Sequence, residues 1–236
     1  MPDLSQRSYQ KELLDQPAIP FEDIKRNMQE LEFINRWLGG HKITLRGLKS
    51  ILKCIPDKEN IQVVEIGCGG GDNLKVMKDF FKKRNIRTQL TGIDINPECI
   101  EFARSKKENG GINFITSDYR HISFSEKPSI IFSSLFCHHF TDEELIEQWL
   151  WMGQNSKHGF FINDLHRNRL AYYSVKCLTR IFSKSYLVKN DAPLSVKRGF
   201  RRKEIKKMLE SAGLSHSHVH WKWAFRWLII AKGEFN

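Results

Sequence analysis

The sequence has no long apolar run and no closely paired cysteines. No apolar stretch approaches the ~18 residues of a membrane-spanning helix, and the N-terminal MPDLSQRSYQ lacks the charged-then-apolar order of a signal peptide. The five cysteines are odd in number, widely spaced and without a C-x-x-C pair, which predicts reduced thiols that mostly serve as packing groups. These absences predict a globular, cytoplasmic protein.

Positive charge is concentrated in one segment. The formal net charge is +11, and residues 165–207 hold thirteen lysines and arginines against two acidic residues. Such a segment attracts polyanions, namely nucleic acid, an anionic membrane surface or an acidic carrier. A solvated basic face is the structural alternative.

Hydrophobic spacing divides the chain into two parts. Apolar residues recur at helical spacing between Phe21 and Leu38 and again between Leu45 and Ile55, which predicts an N-terminal helical cap over residues 1–55. From Ile61 onward, short apolar runs alternate with amphipathic stretches. This alternation predicts an α/β fold over residues 56–236, with a mostly parallel sheet, helices on both faces and ligands at the carboxyl ends of the strands.

A glycine-rich turn, GCGGG at 67–71, follows the first predicted strand, and Glu65 lies two residues before it. Such a turn lets a ligand approach the main chain, and the next helix offers unpaired N–H groups. The dinucleotide pattern would need glycine where Asp72 stands, and the phosphate-loop pattern would need a lysine that is missing. The acid at this turn instead suits a ligand with a cationic amine.

Four motifs in order resemble the class I S-adenosylmethionine-dependent methyltransferases. They are EIGCGGG at 65–71, GIDI at 92–95, SDY at 117–119 and FSSLFCHHF at 132–140. The resemblance implies a Rossmann-like, seven-stranded, mostly parallel sheet and S-adenosylmethionine (SAM) as the cofactor. It also implies N-terminal helices and a helical lid, inserted after the fifth strand at about 165–198, that together cover the substrate pocket.

The resemblance further implies roles for single residues. The glycine turn would hold the methionine part of the cofactor, Asp94 both ribose hydroxyls and Asp118 the adenine amino group. Asp94 also follows an apolar run and is therefore predicted at the carboxyl end of a strand. The alternatives are that Asp94 caps the helix at Pro97 and that Asp118 only closes a turn. The implied cofactor-binding residues are Glu65, Gly67, Cys68, Gly69, Gly71, Asn73, Asp94, Ile95, Asp118, Tyr119, Ser134 and Leu135.

Four residues are candidates for acid–base chemistry. His138 and His139 follow the fourth predicted strand, where a histidine can remove a proton from a phenol or enol; a structural role is the alternative. Asp164 and His166, after the fifth strand, form a second candidate acid–base pair. Methyl transfer mainly requires alignment of the reacting atoms, so no metal is predicted.

Segments outside the shared core carry the information on the acceptor. The predicted lid helix has an apolar face expected to close the pocket, formed by Leu170, Ser174, Cys177, Leu178 and Ile181. Its other face is expected to point outward, toward anionic headgroups if the acceptor is lipophilic, and consists of Arg169, Tyr172, Lys176 and Arg180. Three aromatic residues near the C-terminus are predicted either to face the acceptor or to pack the hairpin, namely Trp221, Trp223 and Phe225.

Two functional hypotheses follow. The first is a methyltransferase that transfers a methyl group to oxygen or carbon of a small aromatic or lipophilic hydroxylated acceptor, similar to the quinone and phenolic-product branches. It includes possible peripheral contact with an anionic membrane. The second is an RNA-directed methyltransferase or RNA-binding protein that uses the basic segment 165–207. The N-P-P-[FYW] loop of base-methylating enzymes is missing, which makes nucleic acid the weaker hypothesis. The sequence predicts no oligomeric state.

Overall fold

The computed structural model describes residues 2–16, 19–56 and 59–233, and these form one seven-stranded sheet. The strands are β1 (Ile61–Ile66), β2 (Thr88–Asp94), β3 (Asn113–Thr116), β4 (Ile130–Ser134), β5 (Gly159–Leu165), β6 (His218–Lys222) and β7 (Arg226–Lys232). Their order is β3-β2-β1-β4-β5-β7-β6. Strand β7 is antiparallel to both of its neighbours, and the other paired strands are parallel. The predicted α/β class and mostly parallel sheet are confirmed.

Helices cover both faces of this sheet. They are α1 (Phe21–Trp37), α2 (Gly40–Leu52), α3 (Asp72–Lys82), α4 (Pro97–Ser105), α5 (Asp142–Asn155), α6 (Arg169–Phe182), α7 (Tyr186–Arg198) and α8 (Arg202–Ser211). Helices α2, α3 and α4 contribute to the core on one face, and α5 and α8 contribute to the core on the other. Neighbouring residues Val63 and Val64 of β1 enter opposite cores. Because central strands are buried on both sides, their sequences read as continuous apolar runs.

The chain reverses its direction across the sheet at β1. Strands β2 and β3 lie on one side of β1, and β4 and β5 lie on the other. A crevice forms at the carboxyl ends of the strands where such a reversal occurs, because the connecting loops leave in opposite directions. The glycine turn after β1 and the loop after β4 both border this crevice.

Among the described residues before β1, α-helix is confined to α1 and α2. Residues 2–12 form no helix; a short 3-10 turn follows at Leu13–Asp15. Arg7 attaches this segment to the region after β4, because its guanidinium donates to Asp142 at 2.6 Å and to the Phe140 carbonyl oxygen at 2.6 Å. The segment therefore reaches the loop after β4, which the prediction of a helical cap did not anticipate.

The predicted lid consists of two helices, and the orientation predicted for its first helix is wrong. Helix α7 buries its apolar residues, whereas α6 buries only Ala171 and Thr179. The residues expected to close the pocket are exposed, with Leu170 at 64% and Ile181 at 65%. Because α7 takes the buried position, α6 packs against it through small residues and presents its apolar side chains to solvent. Within the described ranges, no helix is both long and apolar enough to cross a membrane.

Part of the basic segment is internal. Arg167 is buried and pairs with Glu204, and it also donates to the Gly199 carbonyl oxygen at 2.6 Å. Arg198 is buried and donates to the His138 carbonyl oxygen at 2.9 Å. These two arginines hold loops together, because a guanidinium carries five N–H donors that can satisfy several buried oxygens. The segment is thus not wholly a solvated basic face.

Candidate functional site

The glycine turn after β1 needs its glycines for two different reasons. Gly67, Gly69 and Gly71 have φ angles of +66°, +48° and +75°, in the left-handed region that side chains disfavour. A Cβ on Gly67 would lie 2.2 Å from the Phe136 ring, and one on Gly71 would lie 2.7 Å from the Phe114 ring. A Cβ on Gly69 would meet no atom within 4 Å of the described chain. Two glycines therefore allow close packing, and Gly69 borders open space.

Asp94 joins the end of β2 to this turn. Its Oδ2 accepts from the Gly69 N–H at 2.8 Å, and its Oδ1 accepts from the Asn96 N–H at 3.0 Å. Burial raises the pKa of Asp94, against the opposing effect of these hydrogen bonds. Helix α4 is capped by Asn96, which accepts from the Cys99 N–H at 3.1 Å, so the alternative that Asp94 caps this helix is wrong.

Glu65 and Asn73 leave two acceptor atoms unsatisfied beside the turn. Glu65 Oε1 accepts from Asn73 Nδ2 at 2.9 Å, whereas Glu65 Oε2 and Asn73 Oδ1 are buried with no partner among the described residues. Burial raises the pKa of Glu65 well above its ordinary value, and the nearby Asp72 carboxylate adds to this shift. Unsatisfied buried acceptors are costly, and a ligand that brings N–H donors would satisfy them. These atoms fit the cationic amine of the predicted cofactor's methionine part.

Arg226 is a buried cation that the sequence analysis missed. It begins β7 at the carboxyl edge of the sheet, and its Nη2 donates to Asn35 Oδ1 at 3.4 Å. Its Nη1 has no partner among the described residues. Burial lowers the pKa of Arg226 to about 10, against the opposing charges of Asp164 and Asp72. An unpaired guanidinium nitrogen fits a carboxylate, and the signal for it was a lone cation within the apolar run FRWLII.

Asp72 connects the helical cap to the glycine turn. Its Oδ2 lies 2.7 Å from His41 Nε2, at the start of α2. Burial alone would raise the pKa of Asp72, but the hydrogen bond and charge of His41 outweigh burial and lower it. Asn35 Nδ2 donates to the same oxygen at 3.4 Å. The polar ends of α1 and α2 therefore lie over the start of α3, next to Arg226.

The other predicted cofactor residues lie at the same edge of the sheet. Cys68 is buried, and its N–H donates to the Ile93 carbonyl oxygen at 3.1 Å. Ser134 is buried at the end of β4, and Leu135 follows with a φ of +55°. Ile95 is 69% exposed next to Asp94. Their roles toward the cofactor stay predictions.

Asp118 closes a turn in this structure. Its Oδ1 accepts from the Arg120 N–H at 2.9 Å, and its carboxylate also pairs with the Arg120 guanidinium. The hydrogen bonds from Arg120 lower the pKa of Asp118 below its ordinary value. Tyr119 is buried, with its ring 5.0 Å from that of Trp151 in an edge-on arrangement. The turn alternative describes the observed contacts, and the adenine role of Asp118 stays a prediction.

The predicted pairing of the acid–base candidates is wrong in one respect. Asp164 is fully buried and lies 2.7 Å from His138 Nδ1, and this contact helps to lower the pKa of Asp164 although burial opposes it. The Trp221 Nε1–H instead donates to His166 Nδ1 at 3.2 Å, and the His166 ring packs edge-on against Trp227. Burial lowers the pKa of His166. Asp164 therefore pairs with the histidine after β4, because β4 and β5 are neighbours.

His139 is held by the N-terminal segment. Its Nδ1 lies 3.1 Å from Asp15 Oδ1, and its Nε2 lies 3.8 Å from Glu12 Oε2. Burial opposes protonation, but Asp15 and Glu12 together raise the pKa of His139. His139 is also close enough to Asp94 for its charge to act on that carboxyl group. The sequence analysis missed Glu12 and Asp15, since Asp15 and His139 are 124 residues apart in the chain.

The aromatic residues of the β6–β7 hairpin pack on one another. The Phe225 ring lies 6.3 Å from that of Trp221 and 5.7 Å from that of Trp223. Trp221 is 46% exposed and Trp223 is 69% exposed. Hairpin packing is thus observed, and contact with an acceptor stays a prediction.

Comparison with known proteins shows similarity to methyltransferases. Residues 63–150 match the family model described as a methyltransferase domain. The chain is similar in fold to the plantazolicin methyltransferase BpumL, which was solved in complex with S-adenosylhomocysteine (SAH). The TM-score is 0.67, and the two chains are 18% identical over 89% of this chain and 90% of that one. The match over residues 63–150 and the shared fold agree with the resemblance to class I SAM-dependent methyltransferases. The quinone and phenolic-product branch stays a prediction.

Two relatives are similar over short segments. A fatty-acid O-methyltransferase of Mycolicibacterium smegmatis is 30% identical over 71 residues, which cover 30% of this chain. A malonyl-[acyl-carrier protein] O-methyltransferase of Acetivibrio thermocellus is 26% identical over 88 residues, which cover 37% of this chain. The aligned segments span only 24% and 30% of these relatives' own lengths.

Replacing Asp94 should weaken cofactor binding. In Asp94→Ala we expect at least a tenfold loss of SAH affinity by calorimetry, because each lost charge-assisted hydrogen bond to a ribose is worth about 1.5–3 kcal/mol. Asp79→Ala, which removes an exposed carboxylate from α3, is the control and should bind like the wild type. Wild-type affinity in a folded Asp94→Ala protein would contradict the role of Asp94.

Replacing Gly69 by alanine should show whether its missing side chain leaves room for the cofactor or only allows a left-handed backbone. Gly69 and Gly213 both have positive φ angles, +48° and +69°, and neither would place a Cβ within 4 Å of a described atom. Alanine at either position should therefore cost similar stability, about 1–2 kcal/mol in thermal unfolding. Only Gly69→Ala should lose SAH binding, because only that Cβ enters the proposed cofactor space. Equal SAH affinity of both variants would exclude Gly69 from the site.

Proposed function

We propose that this protein is a SAM-dependent methyltransferase that acts on a small lipophilic acceptor, mainly at oxygen. The observation that carries the proposal is the glycine turn held by Asp94, beside the unsatisfied oxygens of Glu65 and Asn73. These groups are complementary to a ligand with ribose hydroxyls and a cationic amine. Phosphate ligands are disfavoured by the same acidic groups.

Different residues of the crevice would bind different parts of the cofactor. Glu65 and Asn73 would bind its amine, and Arg226, with an unpaired Nη1, would bind a carboxylate at the same edge. Asp94 would accept from the ribose hydroxyls with the lone pairs that Gly69 and Asn96 leave free. The open space at Gly69 would allow the ligand to lie against the main chain.

Bound SAM supplies a methyl group on a sulfonium: the acceptor's lone pair forms the new bond to carbon while the carbon–sulfur pair leaves with sulfur, giving SAH. The protein's part is to align the acceptor, to exclude water and to handle the acceptor's proton. Orientation of this kind contributes up to about 7–11 kcal/mol in well-ordered model reactions. His138 and His139, which follow β4 at the carboxyl edge of the sheet, are the groups we assign to the acceptor side of the site.

The lipophilic character of the acceptor rests on two observations. The relative of Mycolicibacterium smegmatis is by name an O-methyltransferase for fatty acids, which are lipophilic. Helix α6 of the proposed lid exposes Ile181 at 65% and Phe182 at 75%, next to basic residues of the same helix. An apolar face flanked by cations is the surface expected to lie in the interface of an anionic membrane. We therefore propose peripheral membrane contact through α6.

Incubation with methyl-labelled SAM tests the proposed activity. The acceptors are a medium-chain fatty acid, a hydroxylated aromatic with an alkyl tail, and total RNA, and products are followed by mass spectrometry. We expect label in the organic extract, and we expect Asp94→Ala to abolish it while Asp79→Ala retains it. Label found only in RNA would instead favour the nucleic-acid hypothesis, with the basic segment as the binding surface.

Sedimentation with vesicles tests the lid. The wild type should pellet with anionic phosphatidylglycerol vesicles at low salt, and replacing Ile181 and Phe182 by serine should release it, because apolar burial contributes about 25 cal/mol per Å². Replacing Arg169, Lys176 and Arg180 by glutamine should also weaken binding, since each basic residue contributes about 1 kcal/mol. Leu150→Ser on α5, which is 36% exposed, is the control. A wild type that ignores anionic vesicles would exclude the membrane contact.

A further inference from the structure

Two histidine rings and one carboxylate meet beside the proposed acceptor site at distances unlike those of hydrogen bonds. His138 Nε2 lies 3.6 Å from Glu12 Oε1, and His139 Nε2 lies 3.8 Å from Glu12 Oε2. One ligand atom from each of the three residues lies within 4.8 Å of the others. Hydrogen bonds between such groups would be about 2.7–3.0 Å long, so the three groups surround a point rather than bonding to one another.

The spacing matches that of ligands around a metal ion. Zinc lies about 2.0–2.2 Å from imidazole nitrogen and carboxylate oxygen in tetrahedral sites, which separates two ligand atoms by roughly 3.4 Å. The separations of 3.6 and 3.8 Å are close to this value. We propose that Glu12, His138 and His139 bind a divalent transition-metal ion of the zinc type. Imidazole and carboxylate ligands favour such ions over magnesium, which prefers oxygen ligands alone.

Neighbouring side chains orient each of the three proposed ligands by a hydrogen bond, as is usual in metal sites. His138 Nδ1 lies 2.7 Å from Asp164 Oδ1, and His139 Nδ1 lies 3.1 Å from Asp15 Oδ1. A carboxylate at Nδ1 places the proton on that nitrogen and leaves the Nε2 lone pair for a metal. The Ser195 hydroxyl donates to Glu12 Oε1 at 2.6 Å and orients that carboxylate. Each of the three ligands thus has a partner that directs it toward the same point.

The charges of the cluster also favour a cation. Three carboxylates surround the two imidazoles, those of Glu12, Asp15 and Asp164. Arg198 lies 3.8 Å from Asp15, Arg226 acts on Asp164, and Arg7 is already paired with Asp142. One net negative charge remains when both imidazoles are neutral, and this charge attracts a metal cation.

The ion would complete the acceptor side of the site. Three protein ligands leave one position of a tetrahedral ion open to water or to a substrate oxygen, and the two histidines follow β4 at the carboxyl edge of the sheet. An acceptor oxygen at the open position would be oriented and polarised there, a role that rests on the proposed function. Binding of the ion itself does not depend on that function. The ion would also fix the N-terminal segment to the loop after β4.

Metal titration of the full, untagged chain tests the site. After removal of metals with a chelator, zinc is titrated by calorimetry and Co²⁺ is used as an absorbing probe. We expect one ion per chain, with affinity lowered at least tenfold in Glu12→Gln and in His139→Ala. Asp15→Asn should lower the affinity roughly 10–100-fold, the usual effect of losing a partner that orients a ligand. The control is replacement of His218 and His220 by alanine, since these exposed strand histidines have rings 6.1 Å apart.

The outcomes separate this site from the methyltransferase proposal. No zinc binding by the wild type, or binding lost only when His218 and His220 are replaced, would overturn the site. Zinc binding without SAH binding would leave the ion site standing and contradict the proposed function. SAH binding with no zinc binding would leave the proposed function standing and overturn the ion site. Glu12→Gln changes no residue of the cofactor crevice and should therefore retain wild-type SAH affinity.

Discussion

The hydrogen bond between Asp94 and the Gly69 N–H holds the central feature of this structure. It joins the ends of β1 and β2 beside the point where the chain reverses its direction in the sheet, and it holds the left-handed glycine turn in place. Without the carboxylate, the turn would lose the acceptor that fixes its N–H. The unsatisfied atoms of Glu65 and Asn73 flank the same turn, at the end of β1 and the start of α3, so the crevice and its polar character depend on one geometry.

Around this crevice, separate parts of the chain supply opposite charges. Helices α1 and α2 bring Asn35 and His41 to Asp72, and β7 brings Arg226 to the same place. The N-terminal segment adds two carboxylates to the histidines after β4. Because these groups are shielded from water, each cation is paired with or near an acid, and the few unpaired atoms mark where a ligand would bind.

The fold and the cofactor edge could be predicted because their signals are local. Alternation of apolar runs with amphipathic stretches follows from burial of parallel strands on both faces, and the glycines at 67–71 follow from backbone geometry at one turn. The lid could not be predicted in the same way. The spacing of Leu170 and Ile181 correctly indicates an amphipathic helix. In the structure, however, α7 packs against the core, and these two residues of α6 are exposed. Periodicity identifies an apolar face without identifying what covers it.

The sequence alone determined the α/β class, the strand-turn-helix unit that carries Glu65 and Gly69, an aspartate at the end of the next apolar run, and the presence of histidines after β4. Each depends on residues a few positions apart, whose geometry the backbone sets. Only the tertiary structure decided that Asp164 pairs with His138 and not with His166, and that Glu12 and Asp15 lie beside the histidines. Strand order and the path of the N-terminal segment place these groups together, and neither leaves a local pattern in the chain.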